Sequence, residues 1–283
     1  MSASGSSDPL PGAVLSEREF SNFQRFIHAA AGITLSQGKM ALVSGRLSQR
    51  LRECRLSSYS KYYELIVSGT APAEAQLAID LLTTNETYFF RETGHFDLLR
   101  EQALAAHEPR RRNWQNQPFR VWSAASSSGE EAYSMAMVLA DSLGDAPWDV
   151  LGSDISLRVL QKAGKGHYPL ERARHIPPAY LKRFCLKGVD HQDGTLLVDR
   201  ALRRRVQFMQ VNLNATLPKL GMFDVIFLRN VMIYFNGDTK RSVVNRVLAQ
   251  LKPGGHFCIG HAETLNDISD AVQQIAPSMY VKR

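Results

Sequence analysis

Two adjacent carboxylates, Glu130 and Glu131, follow a run of small residues, Ala124-Ala-Ser-Ser-Ser-Gly129. Small side chains let a ligand approach the backbone, yet the run departs from the G-x-G-x-x-G pattern that receives a dinucleotide. A pyrophosphate is held by N–H donors and the positive field of a helix N-terminus, and two carboxylates there would repel it. The turn suits a cofactor with a cationic or ammonium group. Asp154 lies 25 residues after Gly129, at the end of an apolar run, where doubly wound nucleotide folds place an acid for ribose hydroxyls. Asn212-Leu213 and Arg229-Asn230 end two later apolar runs. An acid for ribose, a small-residue turn and a carboxylate in place of phosphate ligands point to S-adenosylmethionine, which has an adenosine and no phosphates.

Structural roles fit the same residues. Glu130 and Glu131 complement a helix dipole, and Asp154 can cap a helix beginning near Ser156.

The elements that must position these groups follow from periodicity. From Phe119 onward, short apolar runs alternate with helical patterns: FRVWSAA, a helix over Gly129 to about Leu143, WDVLGSD, and a helix from Ser156. VQFMQVNL, FDVIFLRN, a helix over Thr239 to Leu251, GGHFCIG and a last strand at MYVKR complete the series. Alternation of this kind predicts a mostly parallel, doubly wound sheet with its ligand site at the carboxyl ends of the strands. Residues from about 165 to 205 interrupt the rhythm, with a short hairpin expected in HQDGTLLVDRALRRR, and read as an inserted β subdomain.

The first third of the chain is different. Residues 1–15 hold Ser, Gly, Pro and few apolar groups, the composition of a flexible tail. Ser16-Glu-Arg-Glu19 is a capping box, and Phe20, Phe23, Phe26 and Ile27 recur behind it at helical spacing. Gly32 ends that helix; Lys39 to Cys54 forms a second, with Leu42, Val43, Leu47 and Leu51 on one side, and Ser60 to Val67 and Ala73 to Leu82 give two more. Residues 16–92 thus form a small all-helical domain, 93–117 a linker helix and loop, and 118–283 the α/β domain.

Composition narrows the classes. Lys and Arg number 34 against 27 Asp and Glu, giving +7, which predicts an acidic partner without choosing its kind. Three widely spaced cysteines supply neither a disulfide framework nor a metal site, and no HExxH occurs. No apolar run reaches the roughly 18 to 20 residues of a membrane span, and no signal-peptide pattern opens the chain, so a cytoplasmic location is expected. The basic charge concentrates at Lys39, Arg46, Arg50 and Arg52, with Arg55 just beyond and only Glu53 in opposition.

The runs LTTNETYFFRE (82–92), RVWSAASSSGEEAYSMA, GSDIS, VNL, FDVIFLRNVMIYF, LKPGG and GHAET, in this order and spacing, closely resemble the CheR family of chemotaxis receptor methyltransferases. The resemblance runs from about residue 16 to nearly the end. It implies a Rossmann-like, S-adenosylmethionine-dependent protein-glutamate O-methyltransferase acting on the cytoplasmic helices of chemoreceptors, with S-adenosylhomocysteine as product. It further implies cofactor contacts at Asn85, Thr87, Arg91, Glu131, Asp154, Asn212, Leu213, Arg229 and Asn230, with Glu131 preferred over Glu130. Arg91 and Tyr234 match the positions beside the reacting methyl group. Lys39, Arg46 and Arg52 match positions implicated in docking the acidic receptor helix, and the insert matches a subdomain that binds a receptor C-terminal pentapeptide in some members. Ala132 stands where the family has proline, a change that should leave the helix intact.

The implied chemistry is consistent with the inventory. A glutamate side chain ionises near pH ~4.3, so a carboxylate nucleophile needs no general base at neutral pH, and the chain offers no His/Asp or Cys/His signature. Two other readings stand beside it. A nucleic-acid methyltransferase would share the basic charge but carry a base-stacking or base-flipping motif, and none is visible; a non-catalytic S-adenosylmethionine sensor would keep the pocket but not Arg91 and Tyr234. A monomer with no membrane insertion and no nucleic-acid partner is the expectation.

Overall fold

The structure is a computed structural model describing residues 13–107 and 117–283, and it divides into two compact units at Thr84/Asn85. Most of the expected tail and of the HEPRRRNWQNQP loop lie outside the described residues.

Among its described residues the first unit holds four α-helices and a 3-10 turn, Gln37–Lys39. Helix α1 (Glu17–Ala31) starts at a complete capping box: Ser16 Oγ accepts the Glu19 N–H at 3.3 Å, and the Glu19 carboxylate accepts the Ser16 N–H at 3.0 Å. Leu15 and Phe20, the N′ and N4 positions of a hydrophobic staple, are both buried. Leu15, within the stretch expected as tail, is thus packed against α1. Gly32, at φ 73°, closes α1 in the left-handed conformation. Helices α2 (Met40–Glu53), α3 (Tyr59–Val67) and α4 (Pro72–Leu82) follow. Their apolar faces meet at Phe23, fully buried with ring centroids 5.9 to 6.4 Å from Tyr59, Tyr62 and Tyr63. Truncating such a ring to Ala costs about 3–5 kcal/mol.

The second unit opens with the irregular segment 85–92 and helix α5 (Gly94–His107), which packs on α6 (Glu130–Leu143). The domain boundary thus falls earlier than residue 92, because Phe89, Phe90, Phe96 and Leu99 are buried in the core of this unit. The sheet holds β1 (Phe119–Ser123), β2 (Trp148–Asp154), β6 (Val206–Gln210), β7 (Phe223–Leu228), β8 (Leu251–Ile259), β9 (Val272–Ala276) and β10 (Met279–Lys282) in the order β6-β2-β1-β7-β8-β10-β9. The first five are parallel; β10 runs antiparallel to both neighbours. Chain order reverses at β1, whose neighbours are β2 and β7, and crevices open at the carboxyl ends there. Helix α10 (Gly237–Leu248) ends before Leu251, which already belongs to β8. β9 was not expected from the sequence: its pattern, VQQIA, buries only Val272 well.

Between α7 (Leu157–Lys165) and β6 sits the insert, a three-stranded antiparallel sheet of β3 (His167–Pro169), β4 (Cys185–Lys187) and β5 (Thr195–Val198) in the order β3-β5-β4. It carries a 3-10 turn, Leu170–His175, and helix α8 (Pro178–Phe184). The hairpin expected within His191 to Arg205 does not form. Leu196 and Val198 are buried between two strands from earlier in the chain, and Asp199 accepts the Ala201 N–H at 2.7 Å to start helix α9 (Arg200–Arg203). Among the described residues no single helix is long and apolar enough to cross a membrane.

Candidate functional site

The turn after β1 is buried and built by its neighbours: Ser126 N–H donates to Ser153 O at 2.8 Å, and Gly129 N–H to Ser126 O at 2.9 Å. Gly129 takes φ 95°, and a Cβ there would stand 2.8 Å from Ala163 Cβ, so glycine is required twice over. Asp154, at the end of β2 and 7% exposed, accepts the Ser127 N–H at one oxygen and the Ser156 N–H at the other, both at 3.0 Å. It thus ties the turn to the start of α7. The Ser126 and Ser156 hydroxyls are buried beside these backbone groups without a protein partner. Acceptors and hydroxyls gathered in this way suit the ribose of an adenosine.

Glu131 and Arg229 are brought together. Arg229, at the end of β7 with a side chain 1% exposed, donates to Glu131 Oε2 at 2.7 Å and lies 3.0 Å from Glu92 Oε2. It also donates to the Arg91 carbonyl. Ser123 Oγ donates to the second Glu131 oxygen at 2.7 Å. Burial alone would raise the Glu92 carboxyl, but the Arg229 charge and hydrogen bonds from Arg229 and Asn230 together hold it below the usual range. Glu130 faces other groups: 1% exposed, it accepts Ser128 Oγ at 2.7 Å and Arg172 Nη1 at 3.1 Å, and burial pushes its carboxyl up.

Asn85 and Thr87 lie on the segment leading to Arg91; the Asn85 carbonyl accepts Ser127 Oγ at 2.8 Å and the Thr87 carbonyl accepts Arg172 Nη1 at 2.7 Å. Asn212 Oδ1 accepts the Asn214 N–H at 2.9 Å, shaping the turn after β6, and the buried Leu213 offers its carbonyl to Arg246 at 2.8 Å. Asn230, at φ 56°, donates its N–H to Glu263 Oε2 at 2.9 Å. Arg91 is partly exposed, its guanidinium 5.7 Å from the Tyr88 ring centroid and donating to Glu86 O at 3.2 Å. Tyr234 ends a short 3-10 turn, Met232–Tyr234, also partly exposed. No hydrogen bond joins Arg91 to Tyr234 among the described residues.

Sequence reasoning missed Glu92, His95, Arg172 and Glu263 as parts of this network. Glu263 receives the N–H groups of Gly260 at 2.7 Å, Asn230 at 2.9 Å and Ile233 at 3.2 Å, and so fixes the loop after β7. The run GHAET contained it, but its partners lie up to 33 residues away. Glu92, His95 and His261 offer atoms within 4.8 Å of one another. The Arg229 guanidinium at 3.0 Å from Glu92 already supplies positive charge to that oxygen.

The basic helix of the first unit separates into two groups. Arg46 donates to the carbonyls of Leu81 at 3.1 Å and Thr83 at 2.9 Å. Arg50 pairs with Glu74 at 2.6 Å and with Glu53. Both are half-buried and also engaged within the unit's own fold. Lys39, Arg52 and Arg55 are exposed. At about 100° per residue, Arg52 points some 200° around the helix from Arg50.

Residues 85–281 match the CheR methyltransferase, SAM binding domain, and residues 18–83 match the CheR methyltransferase, all-alpha domain. Among curated relatives, chemotaxis protein methyltransferase 2 of Pseudomonas aeruginosa is 40% identical over 265 residues, covering 93% of this chain and 92% of that protein. The chemotaxis protein methyltransferase of Escherichia coli is 41% identical over 259 residues, covering 90% and 87%. That of Borreliella burgdorferi is 34% identical over 273 residues, covering 95% of each. With both family domains in order and relatives of this similarity over nearly its full length, the chain belongs to the CheR family of S-adenosylmethionine-dependent methyltransferases.

Proposed function

We propose that this protein methyl-esterifies glutamate side chains on the cytoplasmic helices of chemoreceptors, yielding glutamate 5-O-methyl ester and S-adenosylhomocysteine. The observation that carries the reading is the meeting of Asp154, the Glu131–Arg229 pair and the Arg91 segment around the carboxyl ends of β1, β2 and β7, in a chain whose relatives are named chemotaxis protein methyltransferases.

S-adenosylmethionine supplies an activated methyl group on a sulfonium sulfur. Asp154 would hold the ribose, with Asn212 and Leu213 at the adenine end; Glu131, paired to Arg229, would receive the ammonium group in preference to the deeply buried Glu130. Asn85, Thr87 and Asn230 would contribute further cofactor contacts. Arg91 would hold one oxygen of the incoming carboxylate while the other forms the new O–CH3 bond and the C–S bond breaks, its electron pair returning to sulfur. No proton moves, so no side chain need act as a base. Arg91 and Tyr234 then contribute alignment and exclusion of water. Lys39, Arg52 and the neighbouring Arg55 offer exposed positive charge to an acidic receptor helix, whereas Arg46 and Arg50 shape the helix that presents it. The insert is the place to look for binding of a receptor C-terminal pentapeptide.

The test is calorimetric titration with S-adenosylmethionine and S-adenosylhomocysteine, then transfer of labelled methyl to receptor cytoplasmic fragments. Base-labile label on receptor glutamates is the expected result. Cofactor binding without label on any receptor would overturn the substrate assignment, and label on nucleic acid would replace it.

A further inference from the structure

Residues 85–92 carry Arg91 but form neither helix nor strand. Such a segment keeps one conformation only if side chains elsewhere satisfy its backbone. Three of its carbonyls are held in this way: Asn85 by Ser127 Oγ, Thr87 by Arg172 and Arg91 by Arg229. Phe90 and Glu92 both take positive φ, 56° and 60°, a conformation that persists for such residues only where the surroundings over-determine it.

Much of that surrounding is the insert. Its residues meet three consecutive aromatic side chains of the segment: His175 lies 4.9 Å from the Tyr88 ring, Tyr168 packs edge-on to Phe89 at 5.1 Å, and Tyr180 lies 5.8 Å from Phe90. Arg172, on the insert's 3-10 turn, joins the Thr87 carbonyl to the Glu130 carboxylate at the start of α6. Glu130 is 1% exposed, and Arg172 is the one cation paired with it among the described residues. A single guanidinium therefore connects the insert, the loop before Arg91 and the helix that opens the cofactor turn.

We propose that the insert is the support that fixes residues 85–92, and that Arg172 is the positioning residue through which it acts. The proposal rests on the methyl-transfer reading only for its activity readout. Arg172 touches neither reacting atom; its removal would release Thr87 and, with it, the placement of Arg91.

The experiment compares hydrogen exchange of the full chain with that of Arg172→Ala, Arg172→Lys, His175→Ala and, as a control on the same insert, Arg183→Ala, whose pair with Asp141 is exposed. Exchange across 85–92 should rise at least about tenfold in Arg172→Ala while strands β1, β2 and β7 stay protected. Arg172→Lys should recover part of the protection, and Arg183→Ala should match the parent chain. His175→Ala, an exposed change that loses only the Tyr88 contact, should raise exchange by a smaller factor and serves if Arg172→Ala does not fold. In turnover, kcat should fall roughly tenfold to a hundredfold in Arg172→Ala. Unchanged exchange over 85–92 in the folded Arg172 and His175 variants overturns the proposal. Absence of receptor methylation by the parent chain would overturn the functional reading alone, because the exchange comparison needs no substrate.

Discussion

Arg229 reaches back 98 residues to place its guanidinium 2.7 Å from the Glu131 carboxylate, joining the end of β7 to the first turn of α6. The contact is buried and, with Glu92 on the other side, leaves one cation between two acids. Removing a partner from a buried pair costs about 3–5 kcal/mol. Arg229→Met should therefore lower the urea midpoint strongly at pH 7. Without Arg229, burial would lift Glu92 above its unfolded pKa, so the variant gains relative stability as pH falls. The gap to the parent chain should narrow between pH 7 and 5; a gap independent of pH would refute the electrostatic account.

His95 predicts a second pH dependence. Its ring is fully enclosed, with Nε2 2.8 Å from Ser278 Oγ, and burial together with the nearby Arg229 charge depresses its pKa to about 3. The folded state holds this ring neutral while the unfolded chain takes up a proton near the ordinary value, so stability is present above pH ~6.5 and is lost as pH falls toward 3. From pH 7 to 5 the loss is about 2 kcal/mol. His95→Gln should flatten the pH–stability curve in that window by this amount relative to the parent chain, the difference cancelling contributions from Glu130, Glu263 and His256.

The cofactor and transfer roles separate by calorimetry and turnover. Asp154→Asn keeps the size of the side chain but removes its charge, and should weaken S-adenosylmethionine binding by about 1.5–3 kcal/mol, the worth of hydrogen bonds to a charged group. Arg91→Ala should leave most of that affinity and lower kcat by about a hundredfold or more. Equal turnover in Arg91→Ala would remove Arg91 from the mechanism.

Arg50 and Arg52 are two positions apart in sequence and should behave oppositely. Arg50 is held by Glu74, whose carboxyl burial would raise but which the hydrogen bonds from Arg50 and Tyr62 and the Arg50 charge keep low. Arg50→Ala is expected to destabilise the helical unit by about 1–3 kcal/mol. Arg52→Glu should leave the melting temperature unchanged and slow receptor methylation, most visibly at low ionic strength. A melting shift in Arg52→Glu with no change in rate would reverse the assignment.

How much of this was legible depended on range. The capping box at Ser16, the αL stop at Gly32 and the five parallel strands are written in local pattern, and the structure follows it. The antiparallel β9 was not: with three exposed residues in a row, Gln273 to Ile275, it lacks alternation. The domain boundary was misplaced because Phe89 and Phe90 read equally well as the end of a helical domain or the start of the next core. At the site, the residues at strand ends were named, but their pairing was not. Nothing in the spacing of Glu92, Glu131 and Arg229 announces that one guanidinium serves both acids, and Arg50 reads as surface charge until Glu74 folds against it.

The left-handed residues carry a consequence for engineering. Phe90, Glu92, Ser127 and Asn230 all hold φ between 48° and 60°. Glycine would suit each backbone better, but each side chain is in use: Phe90 is in the core, Glu92 binds Arg229, Ser127 Oγ holds Asn85 and Asn230 reaches Glu92. Heat-tolerant variants will therefore not be found by relaxing these four positions. A library aimed at longer shelf life should leave them untouched and place its changes on exposed helix surfaces, where added stability does not compete with turnover.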